Sequence, residues 1–344
     1  MAKGKGKEKE KKEKVKLTKA EKKQAKKEKK QRDKYSVKSK LSKTNKALFI
    51  VFIILLVATI VIVALSSAKV PVKPTDPNSY VDEPSIEEFT PGTYGGVAFN
   101  SVDDVVNYYV ECFAYNKTLT ADYTENGEAK KYYKLLGDEN LEIENLLVEG
   151  QKNAMIDKLV PSILPSVFKG SPKGLPPADN RDPQYDTRDD GPNGTQISQL
   201  ESHLTADDVL ACNVVDNKDG TISITIQPKM SILSMPDQDP QGRFFNVLGD
   251  ISGTVEKISV LSFSQGTIDE NFVVRYAGGS GTITVNTKTK EITTADFEMD
   301  VHIDVQHANV SVIKDKSASL DIIYTNHFPA SDEFLKNSRN IERK

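Results

Sequence analysis

Two cysteines and four histidines are all this chain offers of the side chains that most often carry chemistry. The histidines, His203, His302, His307 and His327, are too scattered for a zinc signature, and neither cysteine stands beside one in sequence. A zinc centre and a Cys-His nucleophile therefore lack support. Gly-x-Ser-x-Gly, a Walker loop and His-Glu-x-x-His are absent too. Ser-x-x-Lys does occur at Ser166–Lys169, but it recurs at Ser66–Lys69 and Ser311–Lys314 without the Ser-Asp-Asn and Lys-Thr-Gly partners that would give it meaning. No catalytic constellation emerges, so the chain reads as a non-enzyme with no cofactor and no metal.

What is present is unevenly placed. Residues 1–46 carry 21 Lys and Arg against 6 Asp and Glu, a net of +15, and the remaining chain carries 25 against 43, a net of −18. Between these two lies Ala47–Leu65, an uncharged run reading ALFIVFIILLVATIVIVAL. As a helix, its 19 residues cover about 28 Å, close to the roughly 30 Å hydrocarbon core of a bilayer. Its apolar residues surround the helix on all sides, leaving no polar face for water. Ser66-Ser67-Ala68 would suit a signal peptidase. Both the run and its basic leader are longer than a signal peptide's, which favours an uncleaved anchor. The Lys-rich side stays cytoplasmic by the positive-inside rule. The expectation is a single-pass protein of the cell membrane with its C-terminal domain outside.

Each segment then has an expected role. The tail, 1–46, has too few apolar residues to fold and is expected to be disordered. It is suited to anionic lipid head groups, and with Tyr35 its one aromatic it is poorly suited to recognising nucleic acid. The transmembrane helix is placed over 47–66 and a Pro-rich spacer over 67–97, holding an acidic domain away from an anionic leaflet. The domain proper is placed over 98–330 and a polar C-terminal tail over 331–344.

Within the domain, Ser101 is a natural N-cap for a helix with Val102, Val105, Val106, Tyr109, Val110 and Phe113 on one face. Further helices are expected over 128–148, over 156–168 with kinks at Pro161 and Pro165, and near 246–261. The second half reads as strands. Asp219-Gly220 marks one hairpin turn, and further turns are expected at Gly278-Gly279 and around Thr287–Lys290. Ala295, Phe297, Met299, Val301, Ile303 and Val305 alternate with Asp296, Glu298, Asp300, His302 and Asp304 as one long half-buried strand. Past His307 the parity flips to Ala308, Val310 and Val312, which implies a bulge. Ser319–Tyr324 supplies a last strand. The expected fold class is α+β, a curved antiparallel sheet packed against amphipathic helices.

Three groups of residues are candidates for more than packing. Cys112 and Cys212, on a helix and a strand outside the membrane, could form a disulfide or remain buried thiols. Asp182, Asp186, Asp189 and Asp190 in the turn-rich loop 179–194 are oxygen donors, but their spacing does not match a calcium loop. Ile156, Leu159, Ile163 and Phe168 could face Phe297, Met299 and Val301 across a cavity, which would make the domain a carrier or sensor of a lipid or other apolar ligand. The alternative is that the helix simply fills the sheet's concavity.

The stretches TADYTENGEAKKYYKLLG, NAMIDKLVP, DNKDGTISITI, QHANVSVIKDKSASLDI and FPASDEFL resemble uncharacterised membrane-anchored extracytoplasmic proteins of Gram-positive bacteria. The resemblance implies a bacterial origin and a cell-membrane location, and it carries over no activity and no site. The leading expectation is a membrane-anchored domain that binds an extracytoplasmic protein or takes part in envelope assembly.

Overall fold

The long alternating stretch at 292–310 is the spine of the fold. The computed structural model describes residues 80–152, 170–177, 180–185, 187–188, 196–247, 249, 261–310 and 313–344. In chain order the described elements begin with β1 (Gly92–Tyr94), β2 (Val97–Phe99), α1 (Val102–Thr118), β3 (Thr120–Glu125), β4 (Glu128–Tyr133), β5 (Asn140–Val148) and β6 (Gln151–Lys152). There follow β7 (Thr187–Arg188), β8 (Ile197–Ser198), β9 (Val209–Asp216), β10 (Thr221–Pro228), β11 (Ser231–Ile232) and α2 (Pro240–Phe244). The chain ends with β12 (Leu261–Phe263), α3 (Ile268–Asn271), β13 (Phe272–Tyr276), β14 (Ser280–Asn286), β15 (Ile292–Val310), β16 (Ile313–Phe328), α4 (Asp332–Arg339) and β17 (Ile341–Arg343). The expected helices over 156–168 and near 246–261, the tail, and the apolar run at 47–65 lie outside the described residues, apart from Val247 and a few neighbours. Among the described residues no helix is long and apolar enough to cross a membrane.

Ten strands make one antiparallel sheet in the order β6-β5-β16-β15-β14-β10-β9, with β12 and β13 also on β15 and β11 on β13. The architecture is thus α+β with the sheet dominant and helices few. On β15 the alternating residues from Ala295 to Val305 are all buried, at 3 % exposure or less, as the sequence pattern requires. His307 takes a left-handed φ of 50°, and the register against β16 shifts there, so the parity flip is a bulge. The β9–β10 hairpin turns through Lys218 and Gly220, both at positive φ, with Asp216 and Asp219 accepting backbone N–H bonds of 2.8 and 2.9 Å. Above the buried face lies α1. Its first turn is capped by Ser101, whose Oγ accepts from the Asp104 N–H at 3.3 Å, and Val105, Val106, Tyr109, Cys112 and Phe113 point into the core.

Four expectations are corrected. The stretch 128–148 is two strands, β4 and β5, rather than a helix. A bulge at Asn145, φ 47°, moves the inward set from Leu141 and Ile143 to Leu146 and Val148, and this broken alternation imitates a helical spacing. Gly278-Gly279 is not a hairpin turn either. β13 and β14 run in the same direction along one edge of β15, and the pair of glycines forms a bulge between them. A Cβ on Gly279 would lie 2.4 Å from the Glu298 carbonyl oxygen, so the close approach admits only glycine.

The spacer is shorter than expected, because residues from Tyr80 onward already belong to the fold. Met230 N–H donates to Asp82 at 2.6 Å, Ser85 N–H to Gln227 Oε1 at 2.7 Å, and Phe89 N–H to the Cys212 carbonyl at 2.7 Å. Lastly, the polar C-terminal tail is folded. α4 and β17 close a three-stranded sheet, β17-β3-β4, over a second cluster of Tyr123, Tyr132, Tyr133, Leu136, Leu335 and Ile341. Leu335 and Ile341 are its buried apolar anchors, with Phe334 packed beside them and β17 paired to β3, too few apolar residues to raise its average hydropathy.

Candidate functional site

The residues singled out from sequence scatter over the fold. Cys112 on α1 and Cys212 on β9 share the main core cluster, and both are free thiols there. Burial pushes Cys112 up to about 12 and Cys212 up to about 11, so both stay protonated and unreactive at neutral pH. Phe297, Met299 and Val301 are buried at 2–3 % exposure. The Phe297 ring meets Phe244, Phe245 and Phe328 at centroid distances of 5.6, 6.5 and 6.1 Å, and a Cβ on Gly281 would lie 2.3 Å from it. At this point the sheet's apolar face is filled by protein. The opposing half of the expected lining, Ile156, Leu159, Ile163 and Phe168, lies outside the described residues. So do Asp186, Asp189 and Asp190, whereas Asp182 caps its own turn by accepting from Gln184 N–H at 3.0 Å. Among the described residues no group of three His, Cys, Asp or Glu is placed to hold a metal ion.

Among the described residues a polar assembly lies on the other face of the sheet. Strand register sets Arg275, His302, Asp321 and Glu144 in one rung across β13, β15, β16 and β5. His302 Nδ1 is 2.6 Å from Asp321 Oδ1, and its Nε2 is 3.1 Å from Asp304 Oδ2. These two bonds, Asp304's the stronger influence, hold the imidazolium up to about 9 against the cost of partial burial. Burial works against the Asp321 carboxylate, yet hydrogen bonds from His302 and Asn145, the latter 2.7 Å, keep it below the usual carboxylate range. Two residues back along β15, Asp300 is raised by burial and by Glu298, while its Oδ2 accepts the Gly279 N–H at 3.1 Å.

Every histidine of the chain shares this habit of pairing with aspartate. His203, His307 and His327 lie 2.8, 2.7 and 2.6 Å from Asp237, Asp315 and Asp296. His302 differs in having an aspartate on each ring nitrogen. A ring held this way is a fixed cation in an acidic face, with no free nitrogen to take a proton from a substrate.

Two further groups had no signal in sequence. Arg275, 8 % exposed, sits under the Tyr80 ring at 4.6 Å, joining two residues far apart in the chain. Lys173 Nζ is 3.3 Å from Glu139 Oε2, both side chains 7 % exposed, and Glu139 also accepts from Ser171 N–H, Ser171 Oγ and Tyr324 Oη. This second group clasps the loop at 170–173 to β16 and reads as structural.

The fold and these clusters define an antiparallel-sheet domain whose apolar face is packed by aromatic rings around Phe297 and whose other face carries His302 between two aspartates. Comparison with protein-family models, with curated proteins and with solved structures finds no match to this chain.

Proposed function

We propose that this chain is a non-enzymatic, single-pass membrane protein that presents its sheet domain outside the cell for binding or envelope assembly. The observation that carries this reading is the apolar run at 47–65, with +15 on one side of it and −18 across the rest of the chain. In support, the described residues beyond Tyr80 form two apolar core clusters among themselves. The rung of Arg275, His302, Asp321 and Glu144 suits recognition better than reaction, since both nitrogens of its one imidazole are already held by Asp321 and Asp304. Epitope tags at both ends, with protease added to intact cells, test the topology. The C-terminal tag is removed and the N-terminal tag survives. Survival of the C-terminal tag on intact cells overturns the reading.

A further inference from the structure

Seven large apolar side chains are conspicuously exposed among the described residues, and four of them, Tyr80, Val81, Ile232 and Leu233, fall in one place. Ile232 pairs with Arg275, whose guanidinium props the Tyr80 ring, and the next residues are joined by the bond from Met230 N–H to Asp82. Val81 is 70 % exposed and Ile232 45 %. Leu233 sits at φ 51°, a left-handed conformation costing about 1 kcal/mol or more for a residue other than glycine, with its side chain 38 % exposed. The same backbone turn lets the Leu233 N–H donate to the Val274 carbonyl at 2.8 Å, and an exposed cluster of apolar side chains of this kind marks a contact surface.

We infer that this patch rests on the outer surface of the bilayer to which the chain is anchored. The argument builds on the membrane reading above and adds a length. Between the apolar run and Tyr80 stand only 14 residues, 66–79. Fully extended they reach at most about 49 Å. The patch is therefore the part of the described domain that follows the anchor most closely along the chain, at an effective concentration that favours even a weak apolar contact. Its chemistry fits the interfacial zone, with a tyrosine beside aliphatic side chains. Asp82 is turned onto a backbone N–H, and around Tyr80 the carboxylates of Asp82, Glu83 and Asp300 outnumber the one guanidinium of Arg275, so the lipid the patch suits is zwitterionic rather than anionic. The short tether and the apolar contact together orient the molecule patch-down.

The natural sequence has no tryptophan, so Tyr80→Trp places one fluorophore in the patch. Tyr115→Trp serves as the control, because Tyr115 is similarly exposed, at 38 %, but lies on α1, away from the patch. The full-length chain is reconstituted in vesicles of phosphatidylcholine brominated on its acyl chains. Fluorescence of the Tyr80→Trp chain is quenched at least about twofold more than that of the Tyr115→Trp chain, as an interfacial aromatic should be. Adding Val81→Asp and Ile232→Asp to Tyr80→Trp brings its quenching down to the control's. Equal quenching in the two single variants overturns the docking, as does quenching that the two aspartates leave unchanged. Crosslinking of two copies through the patch, with the indole at position 80 unquenched, overturns it as well. Carbonate-washed vesicles that lose the chain overturn the anchor itself, whereas vesicles that keep it without quenching at position 80 overturn the docking alone.

Discussion

At the scale of single residues, His302 carries the clearest consequence. Its folded value of about 9 lies above the ordinary 6.5, so its stabilising contribution is complete below about pH 6.5 and is lost as pH rises through about 9. Stability of the natural chain should fall across that window by about 1–2 kcal/mol, the full linkage being reduced by solvent around a partly exposed ring. His302→Gln should flatten the slope, which urea denaturation at pH 6, 7.5 and 9 would measure. A slope unchanged in the variant would mean that another group titrates. The cysteines give a second test. Both should resist a thiol reagent in the native state and both should react once the chain is unfolded in the absence of reductant. Two unreactive cysteines after unfolding would mean a bond joins them.

Among the elements, legibility followed the regularity of the backbone. β15 could be read because six buried residues alternate with five polar ones and no irregularity interrupts them before Gln306. β5 could not, since the bulge at Asn145 breaks the period of two in the middle of nine residues. At Gly278-Gly279 the difficulty was different. Two adjacent glycines announce a positive φ in either a turn or a bulge, and only the pairing of β13 and β14 with one strand decides which. That bulge is sensitive. Gly279→Ala would push a methyl into the Glu298 carbonyl and hold a left-handed φ without glycine, a cost of about 2–4 kcal/mol. A thermal melt indistinguishable from the natural chain's would show that the strand gives way there more easily than the geometry implies.

For the whole molecule, the limits of a sequence reading were set by distance along the chain. The cysteines' placement on helix and strand could be anticipated, but the rung of Arg275, His302, Asp321 and Glu144 depends on register among four strands spread over 140–328. Tyr80 on Arg275 had no local cue at all. Nor did the C-terminal closure, where Leu335 and Ile341 are buried among mostly polar residues. Leu335→Ala should cost about 2–4 kcal/mol and loosen the small cluster before the large one. Hydrogen exchange would show faster opening at β3, β4 and β17 than at β15, and uniform acceleration would show that the two clusters unfold as one.

The pairing of β5 with β16, and of β3 with β17, has a consequence in time. A ribosome makes chains from the N-terminus, so these early strands emerge long before the segments that complete them. Until β16 and β17 have been made, β5 and β3 each present an unfinished edge that depends on being shielded.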